Sequence, residues 1–216
     1  MLENRPEILI KGLPRTGTNV VEHLIHEAFG IKLWPNGTSA RADKHRPFLK
    51  NLGRRDIDLI LIVVLKNPYA WIVSMHSWAE ESKYKGTVIP HEKPKVHWGS
   101  QAMKMQIERY NHCYGNWLSQ KFCDLLPIRY EDLLASTDDL IKPMEFRLDM
   151  ERNQQVSLPR EVIRPGHIAG ESIPFDRRYY SSKQYLGLLT QAQRDQITAE
   201  IDWGLLKNIY TPIKDK

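Results

Sequence analysis

The chain has 216 residues, of which 41% are hydrophobic and 26% are charged. This balance excludes the disordered and fibrous classes and predicts a single globular domain over residues 1–216. The 31 Lys and Arg residues exceed the 26 Asp and Glu residues, for a net charge of +5, which weakly favours anionic ligands such as nucleotides, acidic glycans or nucleic acids.

The first predicted unit is a strand, a loop and a helix. Residues 7–11, EILIK, form a short apolar run that ends at a glycine. In residues 18–30 apolar side chains recur at helical spacing, and Gly30 is a typical helix stop. The segment at residues 12–19 is therefore predicted to be a loop between a strand and the start of a helix.

The clearest predicted element is a central strand. Residues 30–34, GIKLW, predict a short strand, and the polar residues 38–55 predict a surface loop. Residues 59–65 are seven consecutive apolar residues, which is typical of a parallel strand buried on both faces. Asn67 and Pro68 then predict a helix start, because Asn is a favoured N-cap and Pro is favoured at the first helical position.

The alternation of strands and helices continues through the second half. Residues 83–100 lack periodicity and predict an inserted loop. Residues 125–129 predict a third strand, followed by a polar turn and a helix after Thr137. The long helix between them has a predicted buried face that comprises Met103, Ile107, Tyr110, Tyr114, Trp117 and Leu118.

The order of the elements predicts the fold class. Residues 155–175 contain three prolines and predict irregular structure, whereas Thr190 and Gln193 predict a capping box on a terminal helix. Strands alternating with helices predict an α/β fold: three α/β/α layers with a central parallel sheet, like that of the P-loop NTPases. Ligands of such sheets bind at the carboxyl ends of the strands, where the 12–19 loop and Lys66 both lie.

The 12–19 loop has the features of an anion site. Amides at the start of a helix have no intrahelical acceptor and carry the positive end of the helix dipole, so a turn permitted by Gly17 can bind a tetrahedral anion. An ATP-binding loop would place Lys and then Ser or Thr after this glycine, whereas this chain has Thr18 and Asn19. Its positive charge is instead on Arg15.

The residues LPRTGTN at 13–19 resemble the phosphosulfate-binding loop of sulfotransferases. Members of that family also carry an arginine after a buried strand and a serine eight residues later, which bind the 3′-phosphate of the donor. Lys66 and Ser74 have this spacing. The stretch PIRYEDLL at 127–134 is similar to the family, and FDRRYYSSKQYL at 175–186 resembles small microbial or viral members.

The resemblance implies an enzyme that transfers a sulfuryl group from 3′-phosphoadenosine 5′-phosphosulfate (PAPS) to a hydroxyl or amine of a small-molecule or glycan acceptor. The product nucleotide is 3′-phosphoadenosine 5′-phosphate (PAP), and no metal is implied. The implied donor-binding residues are Pro14, Arg15, Thr16, Gly17, Thr18, Asn19, Lys66 and Ser74, with Arg177 or Arg178 closing over the nucleotide.

Three features depart from the family pattern. Lys66 replaces the usual arginine and supplies a point charge instead of a planar fork. Asn19 replaces a common threonine. The glycine-rich C-terminal donor motif of the enzymes that act on phenols and steroids is absent from the sequence.

Two residues are the predicted catalytic groups. Arg15 occupies the position of the family's loop cation and is expected to stabilise the leaving oxygen, by analogy with phosphoryl transfer. His45 is the expected base, because many members supply a His or Glu from this region; an exposed loop histidine is the alternative. His23 and His76 are expected to pack or face solvent, and Glu22 to favour the helix start.

Five aromatic residues are candidates for stacking on adenine or acceptor as well as for core packing: Tyr69, Trp71, Trp78, Tyr84 and Trp98.

Two other functions stay open at this stage. A P-loop nucleotide or nucleoside kinase would share the fold but would need a loop lysine and Mg²⁺ ligands. A basic nucleic-acid-binding protein without catalysis is suggested by the net charge and the basic residues 93–97, but the chain has no recognisable module of that kind. We therefore expect a nucleotide donor and no nucleic-acid partner.

The sequence also indicates the cellular compartment. It has no signal-peptide pattern at its N-terminus and no run of about 18 apolar residues, so we expect a cytoplasmic protein with no membrane contact. Cys113 and Cys123 lack metal-ligand spacing and are expected to be reduced thiols.

Overall fold

A computed structural model describes residues 7–31, 33, 44–45, 59–81, 95–121, 123–158, 161–163, 172–174 and 178–213. Most of the predicted 38–55 loop and of the predicted 83–100 insert lies outside these residues. Within the predicted strand at 30–34, residues 30, 31 and 33 are described and do not form a strand.

A parallel three-stranded sheet organises the molecule. Its strands are β1 (Glu7–Lys11), β2 (Leu59–Leu65) and β3 (Asp124–Arg129), in the order β1-β2-β3. Ile62 of β2 lies opposite Ile10 of β1 and Leu126 of β3. All seven residues of β2 are buried, as expected for a central strand with apolar side chains on both faces, and the prediction of this strand is confirmed.

Helices cover both faces of the sheet. On the face that contains Ile60, Ile62 and Val64, the apolar core includes residues of α1 (Thr18–Phe29), α4 (Tyr130–Ala135) and α5 (Asp138–Leu148). On the opposite face, with Leu61 and Val63, the apolar core includes Tyr179, Tyr185 and residues of four further helices. These are α2 (Pro68–Glu81), α3 (Ser100–Leu118), α7 (Gln191–Glu200) and α8 (Trp203–Leu206). The fold is therefore mixed α/β with a parallel sheet at its centre.

Local signals set the helix ends where the sequence predicted them. Gly30 ends α1 with a φ of 64°, a left-handed conformation that glycine adopts without strain. The Asn67 side chain accepts a hydrogen bond from the Tyr69 amide at 3.1 Å and so caps α2. Thr190 and Gln193 form both hydrogen bonds of the predicted capping box at the start of α7.

Two predictions about irregular segments are wrong. The predicted polar turn after residue 129 is the short helix α4, which buries Tyr130, Leu133 and Leu134; this i, i+3, i+4 spacing gives one apolar face. The predicted irregular stretch at 155–175 contains the strands β4 (Glu161–Ile163) and β5 (Ser172–Pro174), which pair in antiparallel fashion. The remaining elements are α6 (Arg178–Ser181) and a 3₁₀ turn (Gln184–Leu188).

None of the described helices is long and apolar enough to cross a bilayer. Cys113 and Cys123 are both free thiols, in agreement with the sequence-based expectation, and burial raises the pKa of the Cys113 thiol.

Candidate phosphate-binding site

The turns that follow the three strands meet at one edge of the sheet. After β1, the backbone carbonyl of Arg15 accepts a hydrogen bond of 3.2 Å from the Lys66 ammonium, which follows β2. The Asn67 amide donates to the Glu131 carboxylate, just after β3, at 3.0 Å. These contacts bring residues of all three carboxyl ends into one cluster, the arrangement in which parallel sheets bind ligands.

The loop after β1 has a conformation suited to anions. Arg15 has a φ of 71° and Gly17 a φ of 91°; a left-handed arginine is uncommon, and such residues concentrate at functional sites. Gly17 is the N-cap of α1, and no described side chain caps this helix start. The Val20 amide donates to the Gly17 carbonyl at 2.9 Å, so Thr18 and Asn19 carry the two amides at the start of α1 that remain for a ligand at the loop.

Close packing beneath the loop fixes this conformation. A Cβ atom at Gly12 would lie 2.6 Å from Thr16 Oγ1 and 3.0 Å from the Val64 carbonyl oxygen, so only glycine fits here. The Thr16 hydroxyl donates to the Leu13 carbonyl at 2.7 Å. The Trp71 indole donates to the Pro14 carbonyl at 3.0 Å, which ties the loop to α2.

Lys66 and Ser74 converge as their spacing predicted. The Lys66 ammonium donates to Ser74 Oγ at 2.8 Å, because Lys66 lies at the end of β2 and Ser74 two turns into α2. Lys66 also donates to the Tyr180 hydroxyl at 2.9 Å in addition to the Arg15 carbonyl. An ammonium has three protons, so these three acceptors satisfy the hydrogen-bonding capacity of Lys66. This matters because Lys66 is only 2% exposed.

Two tyrosine rings enclose the Lys66 ammonium. Its nitrogen lies 4.8 Å from the centre of the Tyr130 ring and 4.4 Å from that of Tyr180, within the range of cation–π attraction. The two rings meet edge to face with centres 5.2 Å apart. Burial raises the pKa of Tyr130, so its hydroxyl keeps its proton and can donate. The sequence reasoning did not assign a role to either tyrosine.

Hydrogen bonds from α3 hold the end of β2 in place. The Tyr110 hydroxyl donates to the Lys66 carbonyl at 2.8 Å, and the Tyr114 hydroxyl donates to the Val64 carbonyl at 2.9 Å. Burial raises the pKa of both hydroxyls, which keeps them protonated as donors. These bonds satisfy carbonyl groups that would otherwise be costly to bury and orient the backbone that carries Lys66.

His45 lies against the loop in a state suited to a base. Its Nδ1 donates to the Gly12 carbonyl oxygen, which accepts only; Nε2 of the neutral ring therefore keeps its lone pair. Burial is the main cause that lowers the pKa of His45, the hydrogen bond to Gly12 opposes it, and the charge of Lys44 adds to the lowering. The neutral ring is thus favoured near neutral pH.

Lys44 is a cation beside the loop that the sequence reasoning missed. It is 6% exposed, forms an ion pair with the Glu22 carboxylate and donates to Asn19 Oδ1 at 3.1 Å. The Glu22 carboxylate of α1 therefore binds this lysine. Lys44 comes from a non-periodic stretch, and the one sequence signal for it is its position next to His45.

The other predicted residues have diverse environments. Arg178 is exposed in the first turn of α6, two residues from Tyr180, and Arg177 lies outside the described residues. Thr18 is buried as the first residue of α1. His23 is exposed, whereas His76 is fully buried, in line with the packing expected for it. Of the five aromatic candidates, Tyr69 and Trp71 belong to the core, Trp98 packs partly against it, Trp78 is exposed, and Tyr84 is outside the described residues.

No protein-family model matches the sequence, and no curated protein matches it well enough to count as a relative. The function proposed below is therefore based on the chain's own residues.

The Gly17→Ala substitution is expected to destabilise the loop. The new Cβ would lie 2.5 Å from the Tyr130 ring, at a φ of 91°, and a left-handed non-glycine residue alone costs about 1–3 kcal/mol. The free energy of unfolding, measured in urea, should fall by at least that amount. The matched control is Gly115→Ala in α3, where a Cβ meets no atom within 4 Å, and which should raise stability by about 0.5–1 kcal/mol. Equal stabilities for the two variants would contradict the described loop geometry.

Acid should destabilise the protein through His45. Because its folded pKa is lowered, the unfolded state binds more protons below the usual histidine pKa of about 6.5. The contribution of the neutral His45 ring to the free energy of unfolding is thus complete above about pH 6.5. It is lost as the pH falls through the pKa of His45 in the folded state. Urea unfolding across this range should show a slope in the wild type that is reduced in His45→Gln. An identical pH dependence in both proteins would argue against the buried neutral ring.

Proposed function

We propose that the chain is a PAPS-dependent sulfotransferase with a three-layer P-loop NTPase-like fold, acting in the cytoplasm. The observation that carries the proposal is the cluster in which Lys66 bonds both Ser74 Oγ, at 2.8 Å, and the Arg15 carbonyl, at 3.2 Å. It joins a strand-end cation, a helix serine and an anion-binding loop. Together these supply two phosphate sites for a nucleotide with phosphates on both its 3′ and 5′ oxygens.

Each phosphate group has its own partners in this proposal. The amides of residues 17–19 bind the 5′-phosphosulfate at the start of α1, whereas the Thr16 amide already donates to the Leu13 carbonyl at 3.3 Å. Lys66 with Ser74 binds the 3′-phosphate. Because the Lys66 ammonium already has three acceptors, the phosphate must replace one. The Tyr180 hydroxyl is the one to be replaced, since Ser74 and the Arg15 carbonyl belong to the site itself.

Transfer then proceeds in line through the sulfur atom. The acceptor oxygen forms a bond to sulfur while the bond from sulfur to the 5′-phosphate oxygen breaks, and PAP leaves with the bonding electron pair. The Arg15 guanidinium stabilises the charge that develops on this leaving oxygen. His45 Nε2 takes the proton of the acceptor hydroxyl, since Nδ1 is occupied by the Gly12 carbonyl.

A kinase is less well supported by the same residues. Thr18 stands where a kinase loop has its lysine. The nearby cation Lys44 is paired with Glu22, so a triphosphate would have to compete with a carboxylate for it. A nucleic-acid-binding function would not explain why Lys66 is buried and bonded to Ser74.

Radiolabelled donors distinguish these functions. The purified protein would be incubated with sulfur-labelled PAPS, EDTA and pooled sugars, phenols, tyrosine peptides and small metabolites. We expect label in one acceptor pool and a far slower transfer when Arg15 is replaced by Asn. Transfer of label from γ-labelled ATP with Mg²⁺, in the absence of sulfuryl transfer, would instead establish a kinase.

A further inference from the structure

A second cluster of chemically active side chains lies between α2 and the segment that precedes α3, outside the loop site. His76, Glu80 and His97 each offer a ligand atom, and these atoms lie within 4.8 Å of one another. His76 Nε2 is 3.0 Å from His97 Nδ1, and His97 Nε2 is 3.3 Å from a Glu80 carboxylate oxygen. We propose that these three residues bind a divalent cation of the Zn²⁺ class, with water completing the coordination.

The ligand set and its spacing suit this ion. Two imidazoles and a carboxylate are ligands that Zn²⁺ takes at about 2.0–2.2 Å, with water in the fourth position of an open tetrahedral site. His76 and Glu80 are four residues apart on α2, so their side chains share one face of the helix. Ser74 is two residues from His76, a rotation of about 200°, which separates this cluster from the Lys66 site.

The third ligand comes from a segment that is already held in position. Val96, next to His97, donates its amide to the Leu188 carbonyl at 2.9 Å. The Gln193 side chain donates to the carbonyls of Val96 and Trp98 at 3.1 and 3.2 Å. Hydrogen bonds on both sides of His97 therefore fix its backbone against the 3₁₀ turn and α7 before any ion binds, which reduces the entropy lost on binding.

The exposed side of the cluster gives the ion a route to its ligands. His76 is fully buried, whereas the side chains of Glu80 and His97 are 14% and 60% exposed. The two contacts of His97 use different ring nitrogens, and one ion takes only one of them. The exposed His97 ring therefore turns as the ion enters, while the buried His76 provides a fixed ligand.

The bound ion would connect α2 to the start of α3. His97 lies three residues before α3, which begins at Ser100, and Glu80 lies in the last turn of α2. Residues 82–94 between them span most of the predicted insert. The ion thus acts as a structural link at the base of that segment and takes no part in sulfuryl transfer.

Metal titration of the tag-free protein tests this proposal. After EDTA treatment and dialysis, Zn²⁺ binding would be measured by calorimetry and Co²⁺ binding by its visible absorption. We expect one ion per chain, the intense Co²⁺ bands of four-coordinate sites, and a higher melting temperature with Zn²⁺. His97→Ala and Glu80→Gln should each weaken binding by about tenfold or more, because each removes a ligand; outer-shell changes alone cost about 10–100-fold.

The control is His112→Ala, an exposed histidine of α3, which should bind Zn²⁺ like the wild type. Melting temperatures of all variants in EDTA show whether they are folded; His76 is left unchanged because of its burial. Binding of equal strength in the wild type, His97→Ala and Glu80→Gln, or no binding of a single ion by the wild type, would overturn the proposal. Neither result depends on PAP binding, which is measured in EDTA.

Discussion

Arg15→Asn is expected to lower kcat for sulfuryl transfer by about 10²–10³-fold, the loss seen when one preorganised group that stabilises a developing oxyanion is removed. Asn is the informative replacement because it tolerates the left-handed backbone that Arg15 adopts, with a φ of 71°. The substitution therefore removes the charge and keeps the loop. Initial rates at saturating PAPS would measure the effect.

Measuring kcat and KM separately distinguishes a catalytic role of Arg15 from a binding role. Arg15→Lys retains a cation without the planar fork and should recover part of the lost rate. KM for PAPS should change far less than kcat in Arg15→Asn, because the loop amides and the 3′-phosphate contacts are intact. An Arg15→Asn enzyme with wild-type kcat and a raised KM would show that Arg15 only binds the donor.

Lys66→Met should weaken PAP binding by about 10–100-fold and leave AMP binding nearly unchanged. A hydrogen bond to a charged group contributes about 1.5–3 kcal/mol, and the ammonium that bonds Ser74 is assigned to the 3′-phosphate that AMP lacks. Met is chosen because its unbranched, flexible side chain can occupy the space of the lysine stem between Tyr130 and Tyr180. Calorimetric titration with each nucleotide measures both affinities.

A surface lysine provides the matched control for Lys66. Lys142 has a side chain that is 68% exposed and pairs with Asp138, so Lys142→Met should bind PAP and AMP like the wild type. An equal loss of affinity for both nucleotides in Lys66→Met would mean that Lys66 supports the loop in general and does not recognise the 3′-phosphate.

The sequence predicted those parts of the site that depend on local spacing. Lys66 and Ser74 meet because eight residues that begin at a strand end and continue into a helix fix their relative positions. The strand β2 was predictable because seven consecutive apolar residues in a short segment are typical of a parallel strand buried on both faces. The loop that contains Gly17 was predictable because a short apolar strand, a glycine-containing segment and a helical pattern follow one another in the sequence.

The parts that were missed depend on contacts between distant segments. Tyr180 reaches Lys66 from 114 positions away in the chain, and Tyr130 covers Gly17 from the end of β3; neither has a local signal. Lys44 comes from a stretch without periodicity. The helix α4 has only six residues, and β4 and β5 have three residues each, so their patterns were too short to separate from turns.

Thermal stabilisation by nucleotides tests the central claim most directly. PAP, AMP and ATP with Mg²⁺ would be added at equal concentrations, with EDTA present for the first two. If the loop and the Lys66–Ser74 pair bind a 3′-phosphorylated donor, PAP should raise the melting temperature far more than the others, since a ligand at 1,000 times its Kd adds about 4.1 kcal/mol. Equal shifts for the three nucleotides, or a larger shift with ATP and Mg²⁺, would contradict the proposed function.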